Sequence, residues 1–271
     1  MDLVEGLEFI RVLLCFAFLI YASISDHRKR EVSNMVWVWF APLGFALTIT
    51  QFWLFESASV LQLYAFSVLA TSALAILLFY AGAFGGADAK GLICLALTLP
   101  VYPEKLFFKP LFPEASPFSC FFPLMVFFNA VLMAALSVFY VLSRNLVWKI
   151  RTGRKLFEGV EHESLVKKFL TLLCSYKTRL DVLEKKKFLY PLEDFEEDES
   201  MGSRRKLLVF PVDEKREEIL GRILKFMEGK RKESYVWATP GLPMMIFIFA
   251  GFLASLFLGD LVWNLVVWIF G

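Results

Sequence analysis

Two aspartates stand where apolar runs meet polar loops. Asp26 follows the apolar run 7–24 and opens the basic segment Asp26-His27-Arg28-Lys29-Arg30-Glu31. Asp88 follows the small-residue stretch 81–87 and opens another apolar run, 89–99. A carboxylate at the edge of a hydrocarbon slab is costly to keep, which makes each a functional candidate. Two carboxylates that can meet favour one ionised and one protonated partner. Such a pair can draw a proton from water and hand one to a carbonyl or a leaving amide. The chemistry this supports is water-driven hydrolysis of an amide bond.

The elements that position them are membrane helices. The chain has 271 residues, 58% hydrophobic, with 30 Phe and a mean hydropathy of +0.59. A soluble domain has no use for so much apolar surface, whereas repeated runs near the ~20 residues needed to cross a bilayer account for it. Hydropathy predicts six spans, at 7–24, 35–55, 60–81, 89–102, 118–142 and 242–270. The fold class is therefore an all-α polytopic membrane protein of about six helices, with a small mixed α+β domain inserted before the last. Gly259-Asp260 is expected to mark where the last span leaves the membrane. Trp37, Trp39, Tyr64, Tyr102, Trp148 and Trp237 are expected as interfacial anchors. Asp2, Glu5 and Glu8 precede the first run where a secretory signal would carry positive charge, so a permanent first span is expected. Cys15, Cys94, Cys120 and Cys174 are scattered with no CxxC pair, which argues against zinc and against a disulfide framework.

Orientation follows from the short loops. Arg28, Lys29 and Arg30 place the first loop in the cytoplasm. Alternation then puts the amino terminus outside, the loop at 82–87 inside and segment 144–236 inside. Asp26 and Asp88 come out on one face, the cytoplasmic one, although the charge rule made no use of Asp88.

The domains expected are 1–143 in the membrane, 144–236 soluble, and 237–271 as the last helix. The soluble segment holds 22 of the 29 Lys and Arg and 17 of the 27 Asp and Glu. Leu165, Phe169, Leu172 and Leu173 recur at helical spacing; 206–211 reads as a strand, 217–226 as an amphipathic helix, and the acidic run 193–199 as a solvated loop. No phosphate loop, metal spacing or nucleotide fingerprint is present, so neither a cofactor nor nucleic acid is expected.

Around the first aspartate the chain reads Ser23-Ile24-Ser25-Asp26-His27-Arg28-Lys29-Arg30-Glu31-Val32-Ser33-Asn34, and around the second Phe84-Gly85-Gly86-Ala87-Asp88-Ala89-Lys90-Gly91. These stretches resemble the archaeal preflagellin and type IV prepilin peptidases, membrane aspartic proteases of the GxGD type. Asp26, Arg30 and Asn34 match the family's first pattern; Gly85, Asp88 and Lys90 match the second. The sequence departs at Ala87, where the strict motif has glycine, and Gly86 beside it is read as compensating. The segment Val236-Trp237-Ala238-Thr239-Pro240-Gly241-Leu242-Pro243 is similar to the family's approach to its last helix, which makes Thr239, Pro240 and Pro243 candidates for lining the cleft or for starting that helix. The paired CxxC motifs and methyltransferase part of the bacterial branch have no counterpart here.

The resemblance implies an endopeptidase that removes a short basic leader from preflagellin or pilin-like precursors at the cytoplasmic membrane interface, with Asp26 and Asp88 catalytic. The residues alone also admit a proton-coupled transporter, or a non-enzymatic assembly subunit with its function in 144–236. Asp88 alone could be a helix cap. Lys90 could tune Asp88 or extend to the interface.

Overall fold

The computed structural model describes residues 3–55, 58–105, 109–112, 118, 120–198, 202–209, 215–227 and 234–270. In chain order the elements begin with helices α1 (Leu3–Lys29), α2 (Asn34–Phe55), α3 (Ala58–Tyr80), α4 (Gly86–Thr98) and α5 (Phe122–Thr152). Then come α6 (Leu165–Cys174), β1 (Tyr176–Arg179), α7 (Leu180–Lys185), β2 (Leu189–Pro191), β3 (Glu193–Asp198), β4 (Gly202–Leu207), α8 (Arg216–Phe226) and β5 (Tyr235–Pro240). Two further helices follow, α9 (Met244–Phe257) and α10 (Leu261–Phe270). Two compact units result: Met1–Ala135 with Pro243–Gly271, and Leu136–Leu242.

The first unit is helical because apolar chain in lipid must satisfy its own backbone hydrogen bonds. Leu13, Phe16, Trp53, Phe66, Leu69 and Leu77 point outward, as a lipid-facing surface requires. Its core is built from Leu19, Phe40, Leu92, Leu95, Phe122 and Phe252. Helix α4 packs against both α2 and α3, and α1 against α2 and α9. At the far end of α4 the Thr98 carbonyl accepts from buried Arg11 (3.2 Å) and from Thr48 (2.8 Å). Gly251 lets α9 lie directly on α5: a Cβ there would stand 2.5 Å from the Val126 carbonyl oxygen and 2.6 Å from the Ala130 nitrogen.

Among the described residues, four helices are long and apolar enough to cross a membrane, or five if α9 and α10 make one broken span bent by 67°. The expected six are thus not reached by length. Helix α4 has only 13 residues, about 20 Å at the helical rise against a ~30 Å hydrocarbon core. The expected last span is two helices, α9 and α10, meeting at a bend. Gly259 takes φ +91 and Asp260 caps α10 by accepting from the Trp263 amide at 2.9 Å, so this dipeptide is a helix break.

In the second unit, β1 and β2 both pair antiparallel with β5, in the order β1-β5-β2, and β3 pairs with β4 as a hairpin. Helix α8 buries Ile219, Leu220 and Ile223, as its periodicity requires. The strand expected at 206–211 instead ends at Leu207, and residues 210–211 lie outside those described. The acidic run expected as a loop is strand β3, with Glu199 outside the described residues. Its first two charges are paired: Glu193, fully buried, accepts from Lys177 Nζ at 3.2 Å and from the Trp237 amide, and Asp194 takes both arms of Arg222 at 3.1 and 2.6 Å. Trp237, expected as an interfacial anchor, is fully buried against Phe157; Trp37 and Tyr64 are likewise buried. Leu165 and Phe169, whose spacing suggested a core face, are exposed on α6.

Candidate active site

Asp26 sits in the last turn of α1, half-buried. Its carboxylate accepts from the backbone amide of Met245, the second residue of α9 after the Pro243 N-cap. One turn earlier on α1, Ser23 donates to the Met245 carbonyl at 2.8 Å. Two side chains three residues apart share a helix face, so both reach the same residue of α9, Asp26 its amide and Ser23 its carbonyl. The carboxylate thereby meets the positive end of the α9 dipole. Helix α1 ends just beyond it: the Arg30 amide donates to the Asp26 carbonyl at 2.9 Å, and Arg30 takes φ 57, the left-handed turn that closes a helix.

Asp88 is the third residue of α4 and only 8% exposed. Its Oδ2 accepts from the Gly85 amide at 3.0 Å, the carboxylate half of a capping box. Gly85 is extended rather than left-handed (φ −73, ψ 160), so its glycine is explained by space. A Cβ at 85 would stand 3.1 Å from Asp88 Oδ2. Gly86 differs, since a Cβ there would meet only a Phe79 ring carbon at 3.7 Å, ordinary contact. Glycine therefore relieves a tight approach at 85 and not at 86. Ala87 is partly buried against the helical core.

The two aspartates lie at the same end of the bundle: Asp26 meets Met245 at the start of α9, and Gly91, three residues after Asp88, packs against the Met245 side chain. Each is held by a backbone amide at the start of a helix, α9 for Asp26 and α4 for Asp88. Helix α2 contributes the next wall. A Cβ at Gly91 would touch Met245 Cε at 3.1 Å and Trp37 Cη2 at 3.5 Å, so α4, α9 and α2 converge beside the pair. Lys90 Nζ donates to Asn34 Oδ1 at 2.7 Å, tying α4 to the start of α2.

The remaining candidates fall elsewhere. Thr239 and Pro240 lie in β5 of the second unit, not at a helix start. Thr239 Oγ1 donates to the Cys174 carbonyl at 2.7 Å, and Pro240 stands opposite Leu189. Pro243 is the N-cap of α9. Sequence reasoning missed Ser23 and the Met245 amide. The i, i+3 spacing of Ser23 and Asp26 was a visible signal, whereas a backbone donor 219 positions away (245 − 26) leaves none.

Chemically, two carboxylates anchored by backbone amides at one end of an apolar helical bundle are groups that can take up and release protons there. Residues 13–138 match the type IV leader peptidase family, and residues 167–261 match the archaeal peptidase A24 C-terminus type II. A preflagellin peptidase of Methanococcus voltae is 26% identical over 255 residues, covering 92% of this chain and 95% of that one. Those of Methanococcus maripaludis strain C6 (25% over 250 residues, 89% and 92% covered) and Methanocaldococcus jannaschii (24% over 267 residues, 93% and 95% covered) are similar over comparable lengths. With both family matches and relatives spanning nearly its whole length, the chain belongs to the type IV leader peptidase family, with the carboxyl-terminal part of its archaeal A24 members.

Proposed function

We propose that this protein is a membrane-embedded aspartic endopeptidase that removes the basic leader from preflagellin or type IV pilin-like precursors, with Asp26 and Asp88 as its catalytic pair. The observation that carries the substrate class is the set of relatives named preflagellin peptidase, aligned from end to end. Neither a transporter nor an assembly subunit is favoured by that kinship.

In this mechanism the ionised carboxylate takes a proton from the attacking water, whose oxygen adds to the scissile carbonyl carbon, and the protonated carboxyl group gives its proton to the amide nitrogen as the C–N bond breaks. The amides of Gly85 and Met245 support the reading, because each fixes one carboxylate without occupying it with a side-chain cation. Gly85, Gly86, Ala87 and Lys90 shape and tether the turn that carries Asp88. No cofactor is required. Counting α4 as a short sixth crossing places the amino terminus outside, with the aspartates and the soluble unit on the cytoplasmic side. A precursor inserted with its charged leader inside presents the bond at that level. The test is cleavage of an archaeal preflagellin by the purified full chain, with the new amino terminus read by mass spectrometry. Release of the basic leader is expected, and no cutting of any pilin-like precursor would overturn the assignment.

A further inference from the structure

The soluble unit contains a cleft that peptide hydrolysis leaves unused. Two adjoining depressions of about 370 Å³ each share Trp148, Lys177 and Tyr235 in their walls. Arg144, Arg151, Arg154, Lys155 and Arg205 complete the positive lining, against the carboxylate of Glu158. Buried Glu193 lies behind Lys177 and Arg205, at 3.2 and 3.9 Å. The six cations of the lining exceed the two carboxylates, Glu158 and Glu193, by four (six less two). Arg144 stacks 3.9 Å over the Tyr176 ring, which fixes the plane of its guanidinium. The Trp148 indole nitrogen is buried and has no acceptor among the described residues. Planar guanidinium groups around a hollow of this size suit a phosphate group.

The source of that phosphate is indicated by α5. This helix has 31 residues, about 46 Å at the helical rise, whereas a bilayer core takes ~30 Å. The surplus of roughly ten residues puts Ser143 to Thr152, which line the cleft, within about 15 Å of the hydrocarbon edge at 1.5 Å per residue. Basic clusters just beyond a membrane helix are the arrangement that recognises anionic headgroups. The same unit exposes Leu165, Val166 and Phe169 on α6, and apolar side chains beside basic ones seat a protein at a headgroup surface.

We propose that this cleft binds the phosphate of an anionic phospholipid headgroup where α5 leaves the bilayer. The test uses the full chain in neutral detergent, titrated with phosphatidylglycerol or phosphatidylcholine, with retained lipid counted by native mass spectrometry. Arg151→Glu/Lys155→Glu reverses two exposed cleft residues, and Lys185→Glu/Lys187→Glu makes the same charge change at exposed positions outside it. The parent and the outside variant should prefer phosphatidylglycerol at least tenfold, and the cleft variant should lose that preference. Lys155→Ala, the mildest change, should weaken it about fivefold, the usual worth of one basic residue at an anionic surface. Equal preference in the cleft variant, or equal loss in the outside variant, would overturn the proposal. Displacement of phosphatidylglycerol by millimolar inorganic phosphate would assign the site to free phosphate and overturn the lipid.

Discussion

Gly251→Ala should slow cleavage from a position that touches no substrate. The added Cβ would stand 2.5 Å from the Val126 carbonyl oxygen and 2.6 Å from the Ala130 nitrogen, where ordinary contact begins at 3.4 Å. Both are backbone atoms of α5 and cannot rotate away. Helix α9 must therefore withdraw by about 0.9 Å, the difference between 3.4 and 2.5 Å. Six residues earlier on the same helix, the Met245 amide holds Asp26. A displacement near 1 Å at reacting groups can cost about 10²-fold in rate, and overpacking costs about 1–3 kcal/mol of stability. The assay is the initial rate of leader removal in proteoliposomes, alongside thermal unfolding. Gly221→Ala is the control: its Cβ would meet nothing within 4 Å, and it sits inside α8, so it should be neutral or stabilise by up to about 1 kcal/mol. Parent-like rate and melting in Gly251→Ala would refute the idea that close helix packing sets the position of Asp26.

Gly85→Ala should lower activity about tenfold by crowding Asp88 Oδ2, a fraction of the penalty for losing a positioned acid or base. Gly86→Ala should remain close to the parent in the same assay, since its Cβ finds ordinary contact. Asn34→Ala and Lys90→Ala remove the same exposed hydrogen bond; each should cost about 0.5–1.5 kcal/mol, and the double variant should melt no lower than the worse single one. Lys177→Gln should destabilise the second unit by about 3–5 kcal/mol, because it strips a partner from buried Glu193. Burial holds the Lys177 ammonium below the ordinary lysine value of 10.5. On the alkaline side just below 10.5 the unfolded chain binds a proton the folded chain has shed, so stability should rise with pH there, and Lys177→Met should flatten that rise in denaturant titrations.

What the sequence displayed was local. Long apolar runs became helices because lipid leaves the backbone no alternative. Asp26 and Asp88 were visible as charges at the edges of those runs. The period of Ile219, Leu220 and Ile223 specified α8. What stayed hidden depended on distant partners. Six acidic residues within seven positions look like a solvated loop until Lys177, Arg222 and the Trp237 amide meet Glu193 and Asp194 from 16, 28 and 44 positions away. Thr239 and Pro240 looked like a helix start because their strand partners, Tyr190 and Leu189, lie about fifty residues earlier. Gly259-Asp260 was noticed, but a left-handed glycine before a capping aspartate fits a helix break as well as an exit from the membrane. Of the site, the carboxylates were legible and their backbone anchors were not, because an amide has the same signature in every residue.

The central claim is that Asp26 and Asp88 jointly activate water. The most direct measurement is the rate of preflagellin cleavage by the parent, Asp26→Asn and Asp88→Asn, in membranes where all three are present at equal amounts and melt alike. Asparagine keeps the size and the acceptor oxygen that each backbone amide uses, and removes only the ionisable proton. The expected result is a loss of at least about 10³-fold in each variant, within the range for removing a positioned general acid or base. Cleavage within a few-fold of the parent in either variant would contradict the account and place the chemistry on other residues.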